Sequence, residues 1–269
     1  MIRNDRFMRG LARRWRRAAL AFAALALLAG AGPAQAGGDD GALQWGESYA
    51  GLFVGLGEAQ NRIVDVEGFA NWGEPGWAVE HDASSPVGGV LFGKSLALGN
   101  VPLRLEIDGT IGGNGLAASA NTLDPEGLDE TVETSFGWIA SARVGLDEVL
   151  GPARVFVSAG IAAARIDRSV TDIDTPDDGT PPYVDDDDSF SDDSTEIGWV
   201  ISVGQETTLS DGWTLRLEGT YMDFGSSTHR VNHSGNNRCG PEGPLRPCLY
   251  ETEHALGVVR VALIHRFGL

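Results

Sequence analysis

The sequence predicts an all-β protein: one eight-stranded antiparallel up-and-down transmembrane β-barrel with long external loops. Three observations predict it. Eight runs alternate apolar and polar residues with period two, the pattern of strands with two unlike faces. The connections between them alternate long and short in strict order, which puts every long one at the same end of an up-and-down sheet. Several runs also place formal charges opposite their apolar face, which is costly on the dry side of a soluble core.

The first run, 48–58, is SYAGLFVGLGE, with Ala50, Leu52, Val54 and Leu56 in phase. The second, 86–95, is glycine-rich and has no clear phase. The third, about 101–112, contains LRLEIDGTI, with Leu103, Leu105, Ile107 and Ile111 on one face and Arg104, Glu106, Asp108 and Thr110 on the other. The fourth, 131–145, sets Phe136, Trp138, Ala140, Ala142 and Val144 against Ser135, Gly137, Ser141 and Arg143. The fifth, 153–166, sets Val155, Val157, Ala159 and Ile161 against Phe156, Ser158, Gly160 and Ala162. The sixth, 196–208, sets Ile197, Trp199, Ile201 and Val203 against Gly198, Ser202, Gly204 and Glu206. The seventh, 212–224, sets Trp213, Leu215, Leu217 and Tyr221 against Arg216, Glu218 and Thr220. The eighth, 254–267, sets Val259, Val261, Leu263 and Phe267 against Arg260, Ala262 and Arg266.

The long connections are 59–85, 113–130, 167–195 and 225–253; the short ones are 96–100, 146–152 and 209–211. A soluble β-sandwich would also alternate along its strands, but it does not require this alternation of loop length. In a barrel the apolar face meets lipid and the charged face meets the interior, which in a barrel of eight strands is filled by side chains. The expected lumen network is Arg104, Glu106, Asp108, Arg143, Glu206, Arg216, Glu218, Arg260 and Arg266. Opposite signs can pair there, and Gly137, Gly160, Gly198 and Gly204 are expected to make room for them. Tyr49, Trp138, Trp199, Trp213, Tyr221 and Phe267 are expected to form interfacial girdles.

The N-terminus fits export. Seven Arg precede an apolar run, Ala18 to Ala31, that is short for a membrane span, and Ala34-Gln35-Ala36 follows as a cleavage pattern. Residues 1–36 are expected to be a signal peptide and 37–269 the barrel domain; a membrane anchor is the alternative reading of the leader. The leader holds seven Arg and one Asp, so its removal takes the formal charge from −18 to −24. That balance argues against nucleic acid as a partner. Cys239 and Cys248 are the only cysteines. A pair in an oxidising compartment favours a disulfide, with two free thiols as the alternative.

The stretches SYAGLFVGLG, GWVISVGQETTLSDGWTLRLEGTYMDFG (198–225) and VVRVALIHRFGL at the C-terminus resemble the small outer-membrane β-barrel proteins of the opacity-porin and surface-antigen type, related in architecture to OmpA-like barrels. The resemblance covers most strands and little of the loops. It implies a place in the cell outer membrane, contact with outer-membrane lipid and lipopolysaccharide, and insertion by the outer-membrane assembly machinery through the C-terminal strand. Such strands commonly close on Phe; here Phe267 is followed by Gly268 and Leu269, and Leu269 keeps the apolar phase.

Segment 167–195 contains eleven Asp. Without EF-hand spacing it reads as a solvated acidic loop in preference to a calcium site. HRVNH, 229–233, has a four-residue histidine spacing that gives no common face on a loop. Ser227, His229 and Glu253 could supply a rim hydrolase, but no local signature supports it. No catalytic, cofactor or metal residue is therefore assigned, and no cofactor is expected. The expected function is a non-enzymatic envelope-structural and surface-interaction protein with an unidentified external ligand. A narrow passive channel is the alternative, ahead of a rim-located lipid-modifying hydrolase.

Overall fold

A computed structural model describes residues 43–66, 78–123, 129–151, 153–174, 183–210, 212–230 and 249–267, with Gly76 and Pro181. The leader, Cys239, Cys248, His233 and Leu269 lie outside the described residues. Eight strands follow in chain order: β1 Leu43–Asp65, β2 Ala78–Leu98, β3 Val101–Leu123, β4 Asp129–Leu150, β5 Ala153–Asp174, β6 Tyr183–Ser210, β7 Trp213–Arg230 and β8 Leu249–Phe267. Each pairs antiparallel with the next. β1 also pairs with β8, from Ser48 opposite Phe267 to Asp65 opposite Tyr250, so the barrel is closed and has no free edge.

Short connections join β2 to β3, β4 to β5 and β6 to β7 at one end. Gly99, Gly151 and Gly212 take φ of 58°, 60° and 77° there, a conformation that residues with a Cβ rarely adopt. The strands are longer than the sequence suggests. They run from 18 to 28 residues, where a tilted crossing needs about 9–11. Most of 59–85, 113–130 and 167–195 and both ends of 225–253, expected as loops, are strand that rises past the membrane. The acidic segment contributes the upper ends of β5 and β6.

The lipid-facing surface follows the expected phase. Leu52, Val54 and Leu56 are 68%, 69% and 68% exposed, and Ile107, Ile161 and Ile197 are similarly bare. A water-soluble sheet would not leave such a continuous apolar surface open. Two aromatic groups bound it. Near the hairpin end His265 meets Trp213 edge-on and stacks on Phe267, with ring centroids 4.8 and 6.4 Å apart. Trp199 and Tyr221 pack at 5.3 Å near the other, with Trp138 on the same outer face. Trp213 and Tyr221 are eight residues apart on β7, about 26 Å of strand and about 20 Å along the axis at a tilt near 40°. Beyond Leu56 and Val259 the exterior becomes charged, with Arg62 paired to Glu253 at 3.3 Å and Arg165 paired to Asp193.

Several assignments need correction. Tyr49 is buried inside the barrel, not in a girdle. Phe136 points inward, and Ser135 and Gly137 sit outward, Gly137 beside Arg165, because a register shift between Phe136 and Ile139 reverses the phase of β4.

Leu217 stands midway between the aromatic groups and faces lipid. Leu217→Arg is expected to destabilise the folded barrel by about 2–4 kcal/mol in urea titrations of vesicle-inserted protein. A change of less than about 0.5 kcal/mol would contradict a midplane, lipid-facing position.

Candidate functional site

The barrel interior is filled in three tiers. The tier nearest the hairpins is ionic. It is built by the inward phase of β3 (Arg104, Glu106, Asp108), β4 (Arg143, Asp147), β6 (Glu206), β7 (Arg216, Glu218) and β8 (Arg260, Arg266). The structure brings all nine residues of the sequence list together and adds Asp147. Except for Arg266, which opens toward the mouth, these side chains are buried.

The pairing is dense. Arg104 Nε donates to Asp147 at 2.6 Å and its Nη1 to Glu206 at 2.9 Å. Arg143 bridges Glu106, Glu218 and Ser202, and donates to Asp108 at 2.7 Å. Arg216 reaches Glu106 at 2.6 Å, Glu206 at 2.7 Å and Glu218 at 3.4 Å. Arg260 reaches Glu218 at 3.0 Å and Asp108 at 3.3 Å. Arg266 pairs with Glu206. Asp147 makes the balance five guanidinium groups to five carboxylates.

Aromatic rings sandwich these cations. The Arg104 guanidinium lies 3.9 Å from the Phe156 ring centre, and that of Arg260 lies 4.3 Å from Phe53. Arg216 lies between Tyr49 and Phe156, at 5.5 and 4.9 Å, within the range of a cation–π contact. Tyr49 donates its hydroxyl proton to Glu106 at 2.9 Å. Inward glycine admits the rings: a Cβ at Gly93 would stand 2.1 Å from Tyr49, and one at Gly204 would stand 2.5 Å from Phe156.

The middle tier is apolar, and sequence reasoning missed it. Val87, Leu116, Phe136, Ile139, Ile166, Val200, Met222, Phe224, Leu256 and Val258 form one buried cluster with three alanines. Met222 and Phe224 continue the inward phase of Arg216, Glu218 and Thr220, so the alternation of β7 contained the signal.

The outer tier is polar and stands level with the exterior pairs Arg62–Glu253 and Arg165–Asp193, above the apolar belt. His81 meets Thr134 at 2.8 Å and His254 Nδ1 meets Asn61 at 2.9 Å. Arg168, fully buried at its side chain, donates to Glu196 at 2.8 Å and to Ser227 at 2.8 Å. A register shift between Asp223 and Ser226, with Gly225 at φ 72°, turns Ser227 and His229 inward. Glu253 does not join them; it lies on the outer wall with Arg62.

A closed eight-stranded barrel with an apolar belt fits one family whose model also matches the sequence: the description is outer membrane protein beta-barrel domain, and the match spans residues 22–245. The chain belongs to that family. It is an outer-membrane β-barrel protein and resides in the cell outer membrane. Among curated proteins it has no match. The solved structures it is similar to include the following three. Neisserial surface protein A is 12% identical, with 80% of this chain and 97% of that chain covered and a TM-score of 0.35. OprG from Pseudomonas aeruginosa is 8% identical, with 82% and 97% covered and a TM-score of 0.49. Ail, the attachment invasion locus protein of Yersinia pestis, solved in complex with the heparin analogue sucrose octasulfate, is 9% identical, with 80% and 99% covered and a TM-score of 0.27.

The outer tier of this barrel is sensitive to acid. Burial pushes the imidazole of His81 down to about 4. Burial, followed by the Arg168 cation, pushes that of His254 down to about 3. Both are neutral when folded and bind a proton near pH 6.5 when released. Their folded pKa values are depressed, so stability is full above about pH 6.5 and declines as pH falls toward 4 and 3. Between pH 6.5 and 5 each histidine is expected to remove about 2 kcal/mol from urea-unfolding stability. The double replacement His81→Gln, His254→Gln is expected to flatten that decline; an unchanged slope would contradict neutral burial.

Proposed function

We propose that the protein is an occluded outer-membrane barrel, non-conducting, whose role is structural in the envelope and interactive at its outer end. The observation that carries this reading is the series arrangement of two seals. A densely paired ionic tier lies below an apolar tier, and water would have to break ion pairs in the first and leave hydrogen bonds behind in the second. The polar wall that rises beyond the belt is suited to contact with an external ligand.

The partners this reading implies are the surrounding lipid and lipopolysaccharide and the outer-membrane assembly machinery. For the last, β8 offers a terminal strand with Val259, Val261, Leu263 and Phe267 outward.

A narrow passive channel is the second reading. It is favoured by a recess of about 360 Å³ at the hairpin-end mouth, lined by Glu47, Arg154, Glu206 and Arg266 among others. Glu206 also anchors Arg104 and Arg216, so the recess ends on the ionic tier.

Planar-bilayer recording of refolded protein tests the choice. Wild type is expected to be silent, and Arg216→Ala alone is expected to stay nearly silent because the apolar tier remains. Adding Phe136→Ala and Phe224→Ala to Arg216→Ala is expected to open a measurable conductance. A steady, solute-permeable conductance in wild type would overturn occlusion.

A further inference from the structure

The outer tier holds a second arrangement that occlusion does not need. His229 Nε2 lies 2.9 Å from Ser227 Oγ. The other ring nitrogen, Nδ1, lies 3.2 Å from Asp192 Oδ2. The order carboxylate, imidazole, hydroxyl, with each contact at hydrogen-bond length, is the geometry by which a serine becomes a nucleophile. Asp192 accepts from Nδ1–H and so fixes the tautomer in which Nε2 carries no proton.

The strands supply this geometry from distant sequence. Ser227 and His229 are successive inward positions on β7 after the register shift. Asp192 is an inward position on β6. The glutamate that sequence reasoning placed with them, Glu253, faces the other way.

The surroundings suit acyl chemistry. Arg168 Nη1 stands 2.8 Å from Ser227 Oγ and 2.6 Å from His229 Nε2, and Glu196 holds that guanidinium in place at 2.8 Å. A buried cation beside the nucleophile is where a carbonyl oxygen gaining negative charge would be stabilised. Burial, then the Arg168 cation, holds the His229 imidazole below its ordinary value, which keeps it a neutral base at pH 7. One inward position below the tier, Ile166 and Phe224 give the site an apolar floor. Asp192 is 41% exposed at its side chain, so the site opens toward water.

We infer that Ser227, His229 and Asp192 form a hydrolytic centre at the outer end of the barrel, for water-accessible carboxylic esters with a small apolar acyl group. The carbonyl oxygen of the ester takes the Arg168 hydrogen bond now given to Nε2, which frees Nε2. Ser227 passes its proton to Nε2 as Oγ bonds to the carbonyl carbon. The carbonyl π pair moves onto oxygen and is held by Arg168. Collapse of that adduct breaks the ester C–O bond, and the departing alkoxide takes the proton from Nε2 and leaves as the alcohol. Water then repeats the sequence on the acyl-serine, which releases the carboxylic acid and restores Ser227. The floor and the exposed carboxylate favour a small ester over a long acyl chain drawn from the bilayer.

The test uses the mature full chain refolded in detergent, with folding of every variant confirmed by the shift in electrophoretic mobility on heating. A fluorophosphonate probe reports an activated serine, and p-nitrophenyl acetate reports turnover. Wild type is expected to label once, at Ser227 by peptide mapping, and to hydrolyse the ester. Folded Ser227→Ala is expected to lose both, while His229→Gln and Asp192→Asn slow labelling by roughly 10²–10⁴-fold. Thr228→Ala and Glu253→Gln, which alter outward-facing positions, are expected to label like wild type. Labelling of wild type no faster than of Ser227→Ala, or full labelling in Asp192→Asn, would overturn the assignment.

Discussion

The interaction on which the rest of the barrel depends is the mutual neutralisation of five guanidinium groups by five carboxylates in a space with little water. A single ion left alone there would cost several kcal/mol, and a pair recovers that cost only where geometry and further hydrogen bonds are good. The barrel meets both for most of these atoms; among the described residues Asp108 Oδ1, Arg143 Nε and Arg260 Nε are buried without a hydrogen-bond partner. Glu218 faces Arg143, Arg216 and Arg260 at once, and Glu206 faces Arg104, Arg216 and Arg266. Arg104, Arg143, Arg216 and Arg260 each meet at least two carboxylates, so the tier behaves as a network in which each bond polarises the next. The rings of Tyr49, Phe53 and Phe156 fill the space between the guanidinium planes and the wall.

The tiers follow from that constraint. An ionic core with water above it would exchange its internal pairs for hydration. The apolar tier of Phe136, Ile166, Met222 and Leu256 separates the ionic tier from the outer polar one. It permits a second polar assembly higher up, around Arg168, where both walls of the barrel stand in water and the exterior carries charge pairs. The molecule is thus anchored by its lower half and presents chemistry on its upper half, and the function proposed for each half can hold or fail by itself.

Much of the lower half was legible in the sequence because lipid imposes a strict period of two. Arg104, Glu106 and Asp108 oppose Leu105 and Ile107 without exception, and the charged interior follows. Asp147 was missed only because the fourth run was ended at 145; the inward phase of Arg143 continues through Gly145 to Asp147. Phe136 and Gly137 were inverted because a register shift adds a residue that no local pattern announces. The upper half was harder to read. Outside lipid both faces of a strand can be polar, so Thr, Ser and Asp in 167–174 and 183–195 look like loop although they continue β5 and β6. Ser227 and His229 were visible as residue types, but their inward phase depends on the shift at Asp223, and Asp192 comes from a different strand more than thirty residues earlier in sequence.

The claim that the ionic tier organises the barrel is tested most directly by a double-mutant cycle between Arg143 and Glu218, with unfolding free energies measured in the same vesicles. Arg143→Met and Glu218→Gln are each expected to cost about 3 kcal/mol or more, since each strands opposite charges. The double variant is expected to cost at least about 1 kcal/mol less than the sum of the two. Costs that add within about 0.5 kcal/mol would mean that the two groups do not interact, and the account of a coupled interior network would be wrong.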